Sequence, residues 1–400
     1  MRILFIAHRA PFPPHGGAKV RPFEMIRHLA KSHELSVATL ARDQSEWDEF
    51  QGIAPYCTRF HASRVYRLVQ ALKMVAALAT RIPSSVAYFH SRELHATVRQ
   101  WHRTSPFDLI VCFSSSMGRY ALGLGATVKI IDFCDLDSQK WFTYAATTTW
   151  PKRWGYRLEG FKMQAEEVRL GSGVNAITVA TKRELADLSR LAIACHSDWF
   201  SNGVDMGYFA HANGPAKSTS YDPDTLCFLG RMDYFPNEDA VLYFTQHVLP
   251  LIRRVRPMAR LLIIGAAPTD QVRALSQVAG VEVTGTVADV RPFAYSACAM
   301  VAPLRIARGM QNKILEAMAM GIPTVTSTLA ASGVDAVVGE HLFASDDAAQ
   351  FAAHCLQLMT DPTARQRIAD QALRRVQSHH SWAHCLDRFD ALVGRCMQDT

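Results

Sequence analysis

Ten short apolar runs alternate with longer stretches of helical spacing along nearly the whole chain, and this rhythm restricts the fold more than any other feature. The runs cover residues 3–7, 35–40, 109–113, 128–133, 176–180, 226–230, 261–265, 281–284, 300–303 and 324–327. Most lack a strict apolar–polar alternation, which is the pattern of parallel strands covered on both faces. Repeated strand–helix alternation predicts an α/β fold of doubly wound parallel sheets with right-handed crossovers. Ten strands divide into five and five, and 400 residues are most simply two domains. The boundary falls in residues 211–221, which are rich in Gly, Pro and Ser and have no apolar periodicity. The expectation is therefore a Rossmann-like domain over 1–210, a linker over 211–221 and a second Rossmann-like domain over 222–381. A final helix over 382–400 is read as crossing back to the first domain. In open α/β sheets ligands sit beyond the carboxyl ends of the strands, so two facing sheets would place a site in the cleft between them.

Charge narrows the functional classes. Residues 1–210 hold 26 basic and 18 acidic side chains and residues 211–400 hold 17 and 18, so the whole net charge of +7 lies in the first half. The surplus points to an anionic partner on that side. The cations are scattered, with no basic run longer than two, which argues against nucleic acid. Nine cysteines without a C-x-x-C pair argue against a disulfide framework or a zinc knuckle and for a reducing compartment. The opening apolar run is too short for a signal-peptide core, and no stretch reaches the roughly 18 apolar residues of a bilayer span. A cytoplasmic location is expected, with attachment to the cytoplasmic face of the inner membrane left open.

Three segments carry candidate chemistry. After the first run comes a Pro-stiffened loop ending in Gly16-Gly17, followed by a helix from about Pro22 to Lys31. Paired glycines let backbone amides approach a ligand, a helix start adds unpaired N–H groups, and Lys19 and Arg21 are placed to reinforce an anion site. A tight turn without a ligand explains the same loop. The segment 301–325 reads as strand, loop, helix, Gly stop and a Pro leading into another strand. Ile314, Leu315, Met318 and Ala319 form its inward stripe, and Lys313 and Glu316 lie near the helix start. A cation there opposes the helix dipole, which makes sense if a diphosphate binds. Glu316 is placed to accept hydrogen bonds from vicinal hydroxyls of a sugar; a solvent-facing Lys/Glu pair is the plain alternative. Gly230-Arg231, at the carboxyl end of another run, offers an always-charged bidentate donor for a leaving diphosphate, or an ion pair with Asp233.

Taken with Asn202-Gly203-Val204-Asp205, Phe228-Leu229-Gly230-Arg231, Gly285-Thr286-Val287 and Leu315-Glu316-Ala317-Met318-Ala319-Met320-Gly321-Ile322-Pro323, these segments resemble the retaining family 4 glycosyltransferases of GT-B fold over nearly the full length. His8-Arg9 with Pro11 and Pro13-Pro14, the run Asp132 to Ser138, and Ala307 to Lys313 look like the sugar transferases associated with exosortase/PEP-CTERM exopolysaccharide clusters. The resemblance implies a nucleotide-diphosphate sugar as donor, with no metal or other cofactor, and a polysaccharide or lipid-linked acceptor. It implies sugar transfer with retention of configuration, in exopolysaccharide or cell-surface glycan synthesis.

It also implies roles for residues. Arg231 contacts the diphosphate, the backbone near Val287 the base and Glu316 the ribose, with Gly16, Gly17, Gly230 and the stretch Arg308, Gly309, Met310, Gln311, Asn312, Lys313 completing the donor side. His8, Lys19, Arg21, Asp135 and Asp137 fall on the acceptor side. Arg231, Lys313 and Asp137 are the catalytic candidates. Three departures stand out. Arg308 occupies the place of the family's first glutamate, and Pro236 that of its usual lysine five residues after the arginine, so Lys313 is expected to supply the second positive charge. No histidine follows the run 109–113, leaving Asp135 and Asp137 as a carboxylate pair or as loop caps. Competing readings are a GT-B nucleotide-sugar epimerase and a non-catalytic nucleotide-sugar-binding protein.

Val65, Leu68, Val69, Leu72, Val75, Ala76 and Ala79 follow helical spacing and are read as packed core. They are flanked by Arg64, Arg67, Lys73 and Arg81, and a second aromatic–basic cluster lies at Trp141, Phe142, Trp150, Lys152, Arg153, Trp154 and Arg157. An anionic membrane surface is the alternative partner for both.

Overall fold

The computed structural model describes residues 1–14, 17–125, 128–210 and 221–399. The chain forms two compact units, Met1–Ser201 with Leu386–Thr400, and Asn202–Cys385. Most of the linker expected at 211–221 lies outside the described residues. Residues 202–210 already belong to the second unit: Val204 pairs with Ser381, and Tyr295 donates to the Phe209 carbonyl at 3.0 Å.

The first unit is built on a seven-stranded sheet in the order β3-β2-β1-β4-β5-β6-β7. Its strands are β1 (Arg2–Ala7), β2 (Glu34–Ala41), β3 (Arg59–Arg64), β4 (Leu109–Phe113), β5 (Val128–Cys134), β6 (Ala176–Val179) and β7 (His196–Trp199). The second unit carries six strands in the order β10-β9-β8-β11-β12-β13, namely β8 (Asp222–Leu229), β9 (Arg260–Ile264), β10 (Val281–Gly285), β11 (Ala297–Ala302), β12 (Thr324–Thr326) and β13 (Phe343–Ala344). The pairings are parallel, as in β1 with β2 and β4 and in β8 with β9 and β11. Parallel strands need crossovers on both faces, and those helices cover them, so Ile3–Ala7 and Ala297–Ala302 are buried on both sides.

All ten expected strands are present, and three more bring the division to seven and six. The three additions, β3, β7 and β13, are edge strands. An edge strand has one bare hydrogen-bonding side and thinner cover, so Arg59–Arg64 and His196–Trp199 carry polar residues and give no apolar run.

Two other expectations change. The first helix is Gly17–Leu29, not Pro22 to Lys31, so Lys19 and Arg21 lie inside it. The helix Arg67–Leu78 is inside out relative to the core reading: Leu68, Val69, Leu72, Val75, Ala76 and Ala79 are exposed, and its buried residues are Gln70 and Ala77. Val65, just ahead of it, is buried. Periodicity measures only that one face is apolar; it carries no information on which side the rest of the protein lies. The final helix is Trp382–Gln398, and its residues from Leu386 onward belong to the first unit.

Candidate functional site

In both sheets the winding reverses beside the first strand: β1 lies between β2 and β4, and β8 between β9 and β11. Loops leaving the carboxyl ends on the two sides of such a point diverge and open a crevice. In the second unit the residues at that point are Gly230 and Arg231 after β8, and the segment 303–311 leading into the helix Asn312–Ala319 after β11.

Two glycines make the backbone there compact. Gly230 has φ 157° and Gly265, at the end of β9, has φ 149°. A Cβ on Gly265 would lie 1.7 Å from the Gly230 carbonyl oxygen, so no other residue fits. A Cβ on Gly230 would stand 3.1 Å from the Lys313 Nζ, which shows how near that ammonium comes to the end of β8. Lys313 reaches it from the helix Asn312–Ala319, where Ile314, Leu315, Met318 and Ala319 are buried as the stripe requires. Asn237 locks the arrangement. Its Nδ2 donates to the Arg231 carbonyl at 2.8 Å and its Oδ1 accepts from Lys313 Nζ. The ammonium also lies over the Phe228 ring, 4.2 Å from its centroid, a cation–π contact.

Burial sets the electrostatics. It lowers the Lys313 ammonium to about 7, with Glu316 holding it up, and raises the Glu316 carboxyl to about 7, with Lys313 pulling it down. The pair is thus a partly dehydrated cation and a partly dehydrated acid near neutrality. An incoming anion would favour the charged lysine.

Arg231 itself takes the plainer of its two options. Its guanidinium makes a two-pronged contact with Asp233, at 3.1 and 2.7 Å, and stays 62% exposed. Exposed pairs are worth about 0–1 kcal/mol, so a diphosphate competes with Asp233 at little cost. The rest of the segment is shaped by backbone contacts. Gly309 has φ 61° and its carbonyl lies 2.4 Å from where a Cβ of Gly333 would be. Gln311 Nε2 donates to the Arg308 carbonyl at 3.1 Å, and Met310 packs against the core. Asn312 Oδ1 accepts from Asn202 Nδ2 at 2.8 Å, so the Asn-Gly-Val-Asp stretch holds the start of this helix. Val287 packs partly buried on the same core after β10.

Sequence reasoning missed Asn237. The signal was at hand: Pro236 stands where the resemblance expects a lysine, and the side chain that meets Lys313 is the next residue.

In the first unit the reversal point is lined by residues after β1, β4 and β5. His8, after β1, is flanked by Phe89 edge-on at 5.2 Å and Phe113 stacked at 5.7 Å. Its Nδ1 is out of solvent without a partner, and burial with neighbouring Arg9 pulls the imidazole down to about 3, so it is neutral. Ser114 and Cys134, at the ends of β4 and β5, have φ 83° and 62°, strain of a kind that gathers at functional sites. Asp137 opens the helix Asp137–Thr147 and accepts from Ser115 Oγ at 2.5 Å; burial raises its carboxyl. Asp135 has a desolvated Oδ1 with no partner, and burial beside Glu184 and Asp137 raises it to about 7. His8, Asp135 and Asp137 are thus gathered at one edge of one sheet.

Lys19 and Arg21 are not at that edge as free charges. Lys19 pairs with Glu46 at 3.6 Å. Arg21 is 1% exposed and grips Asp132 at 2.6 and 3.1 Å, donates to the Phe200 carbonyl at 2.9 Å and stacks on the Phe200 ring at 3.6 Å. Its charge is already neutralised inside the unit, so the expectation of an anion-binding Arg21 is replaced by a structural ion pair. Gly17 is the first residue of its helix, and Gly16 lies outside the described residues.

Sheet order, the switch-point site and the whole-chain likeness agree. Residues 223–361 match the family described as glycosyl transferases group 1. The sucrose-phosphate synthase of Thermosynechococcus elongatus superposes with a TM-score of 0.72 at 15% identity, over 100% of both chains. The fold is GT-B. The same architecture recurs in Anabaena HepE, in complex with UDP-glucose, with a TM-score of 0.69 and 12% identity over 99% of this chain and 100% of that one. WaaG, a glycosyltransferase involved in lipopolysaccharide biosynthesis, gives 0.61 and 14% over 98% and 100%. No curated protein matches the sequence. The residues of this GT-B chain that match glycosyl transferases group 1 include Gly230, Arg231, Asn237, Lys313 and Glu316.

Proposed function

We propose that this chain is a glycosyltransferase that moves a sugar from a nucleoside-diphosphate sugar to a polysaccharide or lipid-linked acceptor. The reading is carried by one observation: Lys313 brings a desolvated ammonium from a neighbouring helix to the end of β8, beside Gly230, with Glu316 one turn behind it. Breaking a sugar–diphosphate bond builds negative charge on the leaving phosphate. Donors that grip this charge more tightly as it grows lower the barrier, typically by about 3 kcal/mol each. Lys313 is such a donor, held by Asn237. Arg231 is a second, once it exchanges Asp233 for phosphate. Glu316 accepts from ribose hydroxyls. No step in this scheme calls for a metal.

Uridine is the first base to try, because the HepE structure of the same fold holds UDP-glucose. Retention of configuration rests on the likeness of segments 202–205, 228–231, 285–287 and 315–323 to family 4 glycosyltransferases, and a role in exopolysaccharide or cell-surface glycan synthesis on that of 132–138 and 307–313 to the exosortase-associated sugar transferases. Asp135 and Asp137 are proposed to meet the acceptor hydroxyl. The test is a thermal-shift panel of UDP, GDP and ADP on the full chain, followed by transfer from the matching sugar nucleotide to glycan and lipid-linked acceptor extracts. Stabilisation by one nucleotide and sugar transfer are expected. A chain stabilised by none of them overturns the reading, and binding without transfer to any acceptor makes it a sugar-nucleotide-binding protein instead.

A further inference from the structure

No helix of the described residues is long and apolar enough to cross a membrane, yet the first unit wears a large apolar face on its outside. In the helix Arg67–Leu78, Leu68 is 82% exposed, Leu72 71% and Val75 64%, spaced i, i+4 and i+7 along one stripe. The helix Lys152–Gly171 repeats the spacing with Trp154, Leu158 and Phe161, all exposed. The two helices are fastened together. Lys162, beside Phe161, donates to the Ala77 and Leu78 carbonyls at 3.0 and 3.1 Å, at the end of the first helix. Glu159, beside Leu158, accepts from the Ser84 and Ser85 amides at 3.0 and 2.9 Å. The stripes therefore belong to one surface region.

Charge identifies the occupant. No Asp or Glu occurs from Phe50 to Arg92, or from Ser138 to Leu158. Arg67, Lys152, Arg153 and Arg157 flank the stripes and are exposed. A second copy seated on this face would set cation against cation, which is repulsive. A neutral apolar partner would leave the absence of acids unused. We propose that this face docks in plane on an anionic lipid bilayer, with the aliphatic stripe and Trp154 at the boundary between headgroups and acyl chains and the arginines on lipid phosphates. That is the physics of interfacial helices: apolar area plus attraction to anionic lipid, with tryptophan favoured at the headgroup level. The proposal concerns a surface apart from the nucleotide site, so either stands if the other falls.

The test is flotation of the full chain with phosphatidylcholine vesicles, with and without phosphatidylglycerol. The wild type should float with the anionic vesicles and lose that binding as salt is raised. Arg153→Gln with Arg157→Gln should weaken partitioning roughly 30-fold on anionic vesicles only. Leu68→Gln, Leu72→Gln and Val75→Gln together should weaken it at least about tenfold while thermal stability is kept, because these side chains are already in water. A wild type that stays with the neutral and the anionic vesicles equally, or with neither, overturns the proposal. So does a triple variant that floats like wild type. Sedimentation equilibrium showing a wild-type dimer that the triple variant breaks would assign the face to a second copy.

Discussion

Nucleotide affinity should fall as pH rises through neutrality, and Lys313 sets the slope. In the free protein burial holds Lys313 at about 7 and Glu316 at about 7. A bound diphosphate requires the lysine charged. Above pH 7 the free protein must therefore take up a proton to bind. If Lys313 alone mattered, the apparent Kd would rise about tenfold by pH 8 and about 100-fold by pH 9. Glu316 works in the same direction, since it gains a negative charge as Lys313 loses a positive one. Above pH 7 the phosphate does not cancel the trend, because its second ionisation lies near pH 6 and is about 90% complete by pH 7. Lys313→Met removes the cation and its slope together. At pH 6 it should bind about 10- to 100-fold more weakly than wild type, the worth of a charge-assisted contact, and the two curves should converge near pH 9. Glu316→Gln should keep a slope but start falling at lower pH, because the carboxylate that props up the ammonium is gone. Titration calorimetry with a nucleoside diphosphate from pH 6 to 9 reads all three. A wild-type affinity flat across this range, or a Lys313→Met variant with the wild-type slope, refutes the assignment of this ammonium to the diphosphate.

Arg231→Ala should cost on the order of 100-fold in turnover, while Asp233→Ala, which merely frees the arginine, should leave turnover near wild type; steady-state kinetics separates the two. Arg21→Met strands Asp132, which also accepts from Thr178 at 3.0 Å and the Cys134 amide at 3.1 Å. Removing one partner of a buried pair costs about 3–5 kcal/mol, or roughly 6–20 °C for a unit of this size, and scanning calorimetry showing an unchanged transition would mean the pair is not structural. Sugar transfer should proceed undiminished in excess EDTA; loss of activity restored by one divalent ion would show that the leaving phosphate needs a metal.

The central strands were legible because burial on both faces forces continuous apolar runs, and β1, β4 and β11 show them plainly. The edge strands β3 and β7 were not, since half of each is wet or bare and polar residues serve there, and β13 is apolar but only two residues long. The helix stripe of Ile314, Leu315, Met318 and Ala319 pointed inward as read. The equally regular stripe of Leu68, Leu72 and Val75 pointed outward, because a helix looks the same in sequence whichever way it is turned. Arg21 looked like a free cation until its partner, 111 residues away, came into view.

Read alone, the chain determined its parallel two-sheet class and the places where loops leave the carboxyl ends of strands, because local backbone geometry and burial on both faces leave marks at short range. Tertiary structure alone decided which charges are already neutralised, which apolar face is left in water, and that Asn237, 76 residues earlier, meets Lys313. Those outcomes depend on pairs of residues brought together by packing, and no window along the sequence contains both members.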